Sequence, residues 1–245
     1  MDQQKGCLNC GVKRDGDFCP SCGQRASVSR LSFREIGSQI SSTVFNLEAP
    51  LYQTFKGLLT RPGAMISEFL GGKRKSYYKP VPYYILAVAT HLLLGYVVGY
   101  DPIQAMIDST GGNDHMTPVG RQASYWMAKN VNYILPVWIL LISLLDRLFF
   151  WKSGLNMAER VTAYIFLIAQ YIFLSTLVIP LTKVDPRFQM SVYVILFTYM
   201  TYAILKLHGG GWWRGVRAFV LTLISFVVYV ILLNVVLISW FSHFG

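Results

Sequence analysis

Residues 217–241 read RAFVLTLISFVVYVILLNVVLISWF, and the only charged side chain in this run is Arg217 at its first position. An α-helix needs roughly 17–25 apolar residues to cross the hydrocarbon core of a bilayer. This stretch therefore predicts a transmembrane helix, and the chain around it is expected to belong to a membrane protein.

Four earlier segments are also long and apolar enough to cross, at about 81–100, 131–150, 161–182 and 190–206, and the last is the weakest. The chain is 53% hydrophobic and only 14% charged, whereas soluble domains carry about 25% charged residues. We predict an all-α polytopic membrane domain of about five transmembrane helices over residues 81–245. The loop at 101–128 is expected to be flexible.

Basic residues indicate the orientation of these spans. Twelve of the 22 lysines and arginines precede residue 81, and three follow each of the second and fourth spans. The alternate loops hold only four, so the distribution is 18 against 4. Because cytoplasmic loops are enriched in Lys and Arg, we expect a bacterial inner-membrane protein with its N-terminus in the cytoplasm and its C-terminus outside. Residues 1–30 are polar and lack the apolar run of a secretory signal.

All four cysteines lie in two Cys-x-x-Cys pairs, Cys7 with Cys10 and Cys19 with Cys22. Four thiolates suit tetrahedral Zn(II), and so small a segment needs a metal to fold. Disulfides would form poorly in a reducing cytosol, and a thioredoxin-like redox site needs a βαβ pattern that is missing. The pattern predicts a zinc-ribbon-like head over residues 1–28 with a closed, structural Zn(II) site.

Residues 29–80 are predicted to form short amphipathic helices followed by a basic juxtamembrane collar. A capping-box pattern at Ser32 begins the first helix, Pro50 begins the second, and Pro62 begins a third that ends at Gly71. These helices are too short to span a bilayer. They are expected to lie at the membrane interface, to pack beneath the spans or to form a subunit contact.

The collar allows two interpretations. Basic and tyrosine side chains beside a span typically meet anionic lipid headgroups and the membrane interface. The same residue types bind phosphates and stack on bases, so an anionic nucleotide or nucleic acid is the second candidate ligand. The candidate ligand-binding residues are Arg61, Lys73, Arg74, Lys75, Tyr77, Tyr78 and Lys79.

Polar side chains inside the spans are few, and no carboxylate lies near a midplane, where a proton-coupled carrier would need one. We expect the polar ones to form interhelical hydrogen bonds, with a pore lining as the alternative. They are His91, Gln170, Ser191, Thr198, Thr201, Tyr202 and Asn234. His91, Asp146 and Glu159 do not form a recognisable catalytic set, so we predict that the protein is not an enzyme.

The order of these motifs resembles a family of bacterial multi-pass membrane proteins of unknown function. The matching parts are Cys7-x2-Cys10-Gly, Cys19-Pro-x-Cys22-Gly-Gln24, Arg61-Pro62-Gly63, and Gly72-Lys73-Arg74 followed by Tyr78 and Pro80. The resemblance covers residues 7–80 and is only hydropathic beyond them. It implies a zinc-ribbon-like head on a helical membrane domain and no particular chemistry.

Two functions follow from these features. The first is an oligomeric, channel-like effector gated by a cytosolic regulator, such as an anionic nucleotide or oligonucleotide. Five spans without an internal repeat are few for an alternating-access carrier, so a pore would need several copies. The alternative is a membrane scaffold or assembly factor whose zinc head holds a protein partner.

Overall fold

The computed structural model describes residues 6–13, 16–25, 50–110 and 117–244. Within these residues the regular structure is helical, apart from one isolated β-bridge in each half of the cysteine head. The helices are α1 (Pro50–Thr60), α2 (Pro62–Leu70), α3 (Pro80–Val98), α4 (Pro102–Thr110), α5 (Pro118–Phe149), α6 (Met157–Thr176), α7 (Ile179–Thr182), α8 (Ser191–Leu207) and α9 (Trp212–Phe244).

Among the described residues, five helical stretches are long and apolar enough to cross a membrane: Pro80–Val98, Pro118–Phe149, Met157–Thr182, Pro186–Leu207 and Trp212–His243. This finding confirms the predicted all-α fold, and the chain is a multi-pass membrane protein by the length and composition of its helices.

The expectation of a flexible loop at 101–128 is wrong for most of its length, because α4 and the first turns of α5 occupy it. Both helices begin with a polar cap followed by proline, a typical start signal. The Asp101 side chain accepts a hydrogen bond from Ile103 N at 2.8 Å, and Thr117 Oγ1 accepts from Gly120 N at 3.1 Å. Hydropathy misses these turns because they are polar.

Helix α6 lies at the centre of the bundle. Of its most apolar stretch, 67% is buried inside the protein, against 17–33% for the other four spans. Helices α3, α5 and α8 pack around it, and α1 and α2 contact it as well. The remaining spans therefore expose most of their apolar surface, as expected for helices that face lipid.

Helices α1 and α2 form a hairpin that packs against α6 and α8. Gly63 approaches the Lys206 carbonyl so closely that a β-carbon there would overlap it. Tyr199 and Tyr202 of α8 donate hydrogen bonds to the carbonyls of Leu58 (3.3 Å) and Thr60 (2.8 Å) at the end of α1. The hairpin thus takes one of its three expected positions, packed with the spans. The first amphipathic helix, predicted to begin at Ser32, lies outside the described residues.

Candidate metal centre and collar

Each Cys-x-x-Cys pair forms a tight turn closed by backbone hydrogen bonds. In the first, Cys7 N donates to Val12 O at 2.9 Å, and Gly11 N donates to Cys7 O at 2.8 Å. The second repeats this pattern, with Gly23 N donating to Cys19 O at 2.8 Å. Gly11 and Gly23 have φ values of 78° and 67°, which residues with a β-carbon rarely adopt. Glycine after each pair therefore permits the turn.

The two turns bring all four sulfurs together. The Sγ atoms lie within 4.8 Å of one another, and the Cys7–Cys22 and Cys10–Cys19 separations are 3.6 and 3.5 Å. These distances are too long for a disulfide, whose S–S bond is about 2.05 Å. Tetrahedral ligation with metal–sulfur bonds of about 2.3 Å would separate the sulfurs by about 3.8 Å. The four thiols therefore fit a single metal ion.

Backbone N–H groups favour the thiolate form of Cys7 and Cys19, the first cysteine of each pair. Those of Cys10 and Asn9 lower the pKa of the Cys7 thiol to about 6. The N–H of Cys22 lowers the pKa of Cys19 in the same way. Burial and the neighbouring thiols raise the pKa of Cys10 to about 11. Because the thiolate is the form that binds metal, the turns prepare Cys7 and Cys19 as ligands, whereas Cys10 would lose its proton when the metal binds.

The head is docked on residues 71–76, the first part of the loop between α2 and α3, which we call the docking loop. Asn9 Oδ1 accepts hydrogen bonds from Ser76 N (3.0 Å) and Ser76 Oγ (2.6 Å). Gln24 Nε2 donates to Gly72 O at 2.7 Å, and Gln24 Oε1 accepts from Lys75 N at 3.2 Å. One amide side chain from each cysteine turn thus fixes the head to the docking loop.

These two amides belong to the cysteine turns themselves. Asn9 lies between Cys7 and Cys10, and Gln24 is the second residue after Cys22. Gln24 is only 6% exposed, and both ends of its amide are hydrogen-bonded, as a buried polar group requires. A change in the metal site would therefore be transmitted to the docking loop.

Two of the predicted collar cations share one carboxylate that sequence analysis did not include. Arg61 lies 2.7 Å from Glu68 Oε1, and Lys73 lies 3.0 Å from Glu68 Oε2. The Tyr77 hydroxyl donates to Glu68 Oε2 at 2.6 Å. This hydrogen bond, with the two cations, lowers the pKa of Glu68 to about 2. An anion at Arg61 and Lys73 would have to compete with an ionised Glu68.

The other predicted collar residues have different surroundings. Tyr77 and Tyr78 are buried, and Tyr78 N donates to Thr54 Oγ1 of α1 at 2.7 Å. Burial lowers the pKa of Lys79, whereas Lys75 is exposed. The seven residues therefore have different surroundings. Three of them contact Glu68 (Arg61, Lys73 and Tyr77), Tyr78 is buried beside α1, Lys75 is exposed, and Arg74 and Lys79 are half-buried.

Three of the polar residues predicted within the spans connect different helices. His91 Nδ1 of α3 lies 3.0 Å from Thr176 Oγ1 of α6. Gln170 of α6 accepts a hydrogen bond of 2.5 Å from the Tyr83 hydroxyl of α3. The third is Tyr202, which bonds to α1 as described above. These contacts agree with a role in helix packing.

The other four polar residues do not connect helices, and three of them donate hydrogen bonds to carbonyls three or four residues earlier. Asn234 Nδ2 donates to Val230 O (2.9 Å), Thr198 Oγ1 to Val194 O (2.5 Å) and Ser191 Oγ to Phe188 O (2.6 Å). The buried hydroxyl of Thr201 has no hydrogen-bond partner among the described residues. None of these four side chains contacts a second span through a hydrogen bond in the described part of the chain.

A buried ion-pair cluster, comprising Asp146, Phe150, Arg160, Tyr164 and His208, joins α5, α6 and the residue after α8. Asp146 and Arg160 form a salt bridge, and their side chains are 0% and 2% exposed. Asp146 Oδ1 accepts a 2.9 Å hydrogen bond from the Tyr164 hydroxyl and lies 2.8 Å from His208 Nε2. The His208 ring stacks on Phe150 at 3.9 Å. In the sequence Arg160 is one of the three basic residues after the second apolar run, and nothing near it indicates this pairing.

Residues 48–90 match a family described as "Protein of unknown function (DUF3667)". The match covers the α1–α2 hairpin, the docking loop and the first half of α3, so it agrees with the expected resemblance to a family of unknown function. No curated protein and no solved structure matches the chain.

Proposed function

We propose that the protein is a scaffold in a bacterial inner membrane whose zinc head holds a protein partner on the cytoplasmic side. One observation supports this proposal above the others: four hydrogen bonds fix the head to the docking loop through Asn9 and Gln24. A partner bound to the head would be held at a defined position relative to the spans. Zn(II) is the proposed ion because four thiolates in a tetrahedron are its typical structural site.

The head exposes apolar side chains that could contact a partner. Leu8, Val12 and Phe18 are 52%, 43% and 58% exposed, and Lys13 and Arg25 beside them are exposed as well. The Arg25 guanidinium lies 5.8 Å from the centre of the Phe18 ring. Apolar groups rimmed by charge are typical of protein interaction sites. We infer a partner with an apolar contact surface and an acidic rim.

The contacts inside the bundle fit an anchoring role for the spans. His91 and Gln170 connect α3 to α6, and the buried ion-pair cluster connects α5, α6 and the end of α8. Polar contacts of this kind hold membrane helices together. A bundle joined in this way would give the docked head a rigid support.

Photo-crosslinking in intact cells tests the scaffold. A photoreactive phenylalanine derivative replaces Phe18, and the same derivative at Tyr52, an aromatic residue of α1 that is 66% exposed, is the control. We expect a discrete adduct with a second protein from position 18 and none from position 52. If positions 8, 12 and 18 all fail to give an adduct, the head is not the partner surface and the scaffold proposal is wrong.

Crosslinking and an ion-flux measurement together separate the scaffold from the channel hypothesis. An oligomeric channel would give adducts only between copies of this chain. Liposomes that contain the purified protein alone would then pass ions when a nucleotide is added. Such ligand-dependent flux would replace the scaffold with the channel, whereas a scaffold leaves the liposomes impermeable.

A further inference from the structure

A groove of about 810 Å³ lies where α5 ends and α6 begins. Three polar side chains contribute to its lining, together with apolar side chains from both helices and the turn between them. The lining residues that matter for a ligand are Arg147, Leu148, Trp151 and Arg160. The groove therefore combines cationic and apolar walls.

The two arginines of the groove differ in whether their guanidinium groups can bind a ligand. Arg160 is paired with Asp146, and its Nη2 also donates to Phe150 O (3.1 Å) and Ser153 Oγ (2.6 Å). Its charge is therefore balanced, and it forms a fixed wall. Arg147 is exposed and makes no ion pair within the described part of the chain. Its guanidinium is suited to bidentate phosphate binding.

The rim of the groove adds a second cation and an aromatic ring. Trp151 is 70% exposed, and Lys152 Nζ lies 5.2 Å from the centre of its ring. Tryptophan is enriched where a span meets the headgroup level of the membrane. The rim thus carries the residue types expected at a lipid phosphate.

An apolar stripe leads from this rim along the lipid-facing side of α5. Leu140, Leu144 and Leu148 are 57%, 54% and 68% exposed, and their spacing of four residues places them on one face of the helix. A soluble anion would make no favourable contact with these leucines, whereas an acyl chain would pack along them. The combination favours a molecule with a phosphate at one end and a hydrocarbon chain at the other.

We propose that this groove binds an anionic phospholipid, with its phosphate on Arg147 beside Lys152 and an acyl chain along Leu140, Leu144 and Leu148. The site does not depend on the scaffold function, because it uses neither the head nor the docking loop. A bound lipid would also brace α5 against α6, since Arg160 belongs to both the groove and the buried ion-pair cluster.

Thermal unfolding of the delipidated protein in detergent tests this site. Phosphatidylglycerol, phosphatidylcholine or inorganic phosphate is added to the wild type, to Arg147→Gln and to Arg217→Gln. Arg217 is an exposed arginine near the start of α9, at the same end of the bundle but outside the groove. We expect phosphatidylglycerol to raise the Tm of the wild type and of Arg217→Gln, and Arg147→Gln to lose at least half of that rise.

The other outcomes would overturn the proposal. If phosphatidylglycerol raises the Tm of both arginine variants equally, the lipid acts through the overall positive charge and not through Arg147. If phosphatidylcholine raises the Tm as much as phosphatidylglycerol does, the protein does not recognise an anionic headgroup. A rise with inorganic phosphate alone would assign the groove to a soluble phosphate instead of a lipid. If Arg147→Gln is already unstable without lipid, Lys152→Gln replaces it, and a full response of that variant to phosphatidylglycerol would reject the site.

Discussion

At the scale of single residues, Gly63 shows how one missing side chain permits the packing of the hairpin. It follows Pro62 at the start of α2 and lies against the backbone of Lys206 and Leu207 at the end of α8. A β-carbon at this position would overlap the Lys206 carbonyl and lie 2.7 Å from Leu207 N. The requirement for glycine comes from this close approach of two backbones.

We therefore expect Gly63→Ala to destabilise the protein by about 1–3 kcal/mol or more, as overpacking against atoms that cannot move aside does. Thermal unfolding of the purified protein in detergent measures the effect. Gly215→Ala is the matched control, because its nearest neighbours are the methyl carbons of Leu205 at 3.8 and 3.9 Å. Equal melting temperatures for the two variants would contradict the close contact with α8.

The cysteine ligands can be predicted from the sequence, but the residues that dock the head cannot. The spacing of Cys7, Cys10, Cys19 and Cys22 is a local pattern with a known chemical meaning. Asn9 and Gln24, in contrast, act on residues 67 and 48 positions further along the chain. A polar side chain in a short turn gives no local sign of so distant a partner. For the same reason, the sequence does not indicate that Glu68 contacts the collar residues Arg61, Lys73 and Tyr77.

At the scale of helices, the buried ion-pair cluster holds α5 against α6. Removing one charge of a buried pair leaves the other without compensation, which typically costs about 3–5 kcal/mol. We expect Asp146→Asn and Arg160→Met each to destabilise the protein by roughly this amount. The double variant Asp146→Leu/Arg160→Met removes both charges of the salt bridge. It should be less destabilised than either single variant, although Tyr164 and His208 lose their hydrogen bonds to Asp146. Unfolding in increasing denaturing detergent measures all three, and simple additivity would show that the two side chains are not coupled.

Hydropathy and proline positions predict where most helices lie, but they do not predict how the helices pack. Pro50 and Pro62 correctly indicate the starts of α1 and α2, and the apolar runs indicate the spans. The central position of α6 is different, because a leucine that faces lipid and a leucine that faces another helix are equally apolar. Its burial follows from contacts with α3, α5 and α8, which only the folded protein reveals.

At the scale of the whole molecule, we expect a metal ion held by the four cysteines to determine whether head and spans form one unit. The two cysteine turns that would hold the ion also carry Asn9 and Gln24, which bond to the docking loop. A head of this size has no core of its own to keep these turns folded. Loss of the metal should therefore release the docking loop, although the spans remain folded.

Limited proteolysis of the intact protein in detergent tests this coupling. We expect chelation to speed tryptic cleavage after the exposed Lys75 on the order of tenfold or more, because the four lost hydrogen bonds contribute about 0.5–1.5 kcal/mol each. Cleavage after Lys152, in the exposed turn beyond α5, is the internal control and should not change.

Cys22→Ser should behave like the chelated protein, whereas Gln24→Ala should speed cleavage and still bind one metal ion per chain. Unchanged cleavage after Lys75 on metal removal would show that docking holds the head in place without the ion.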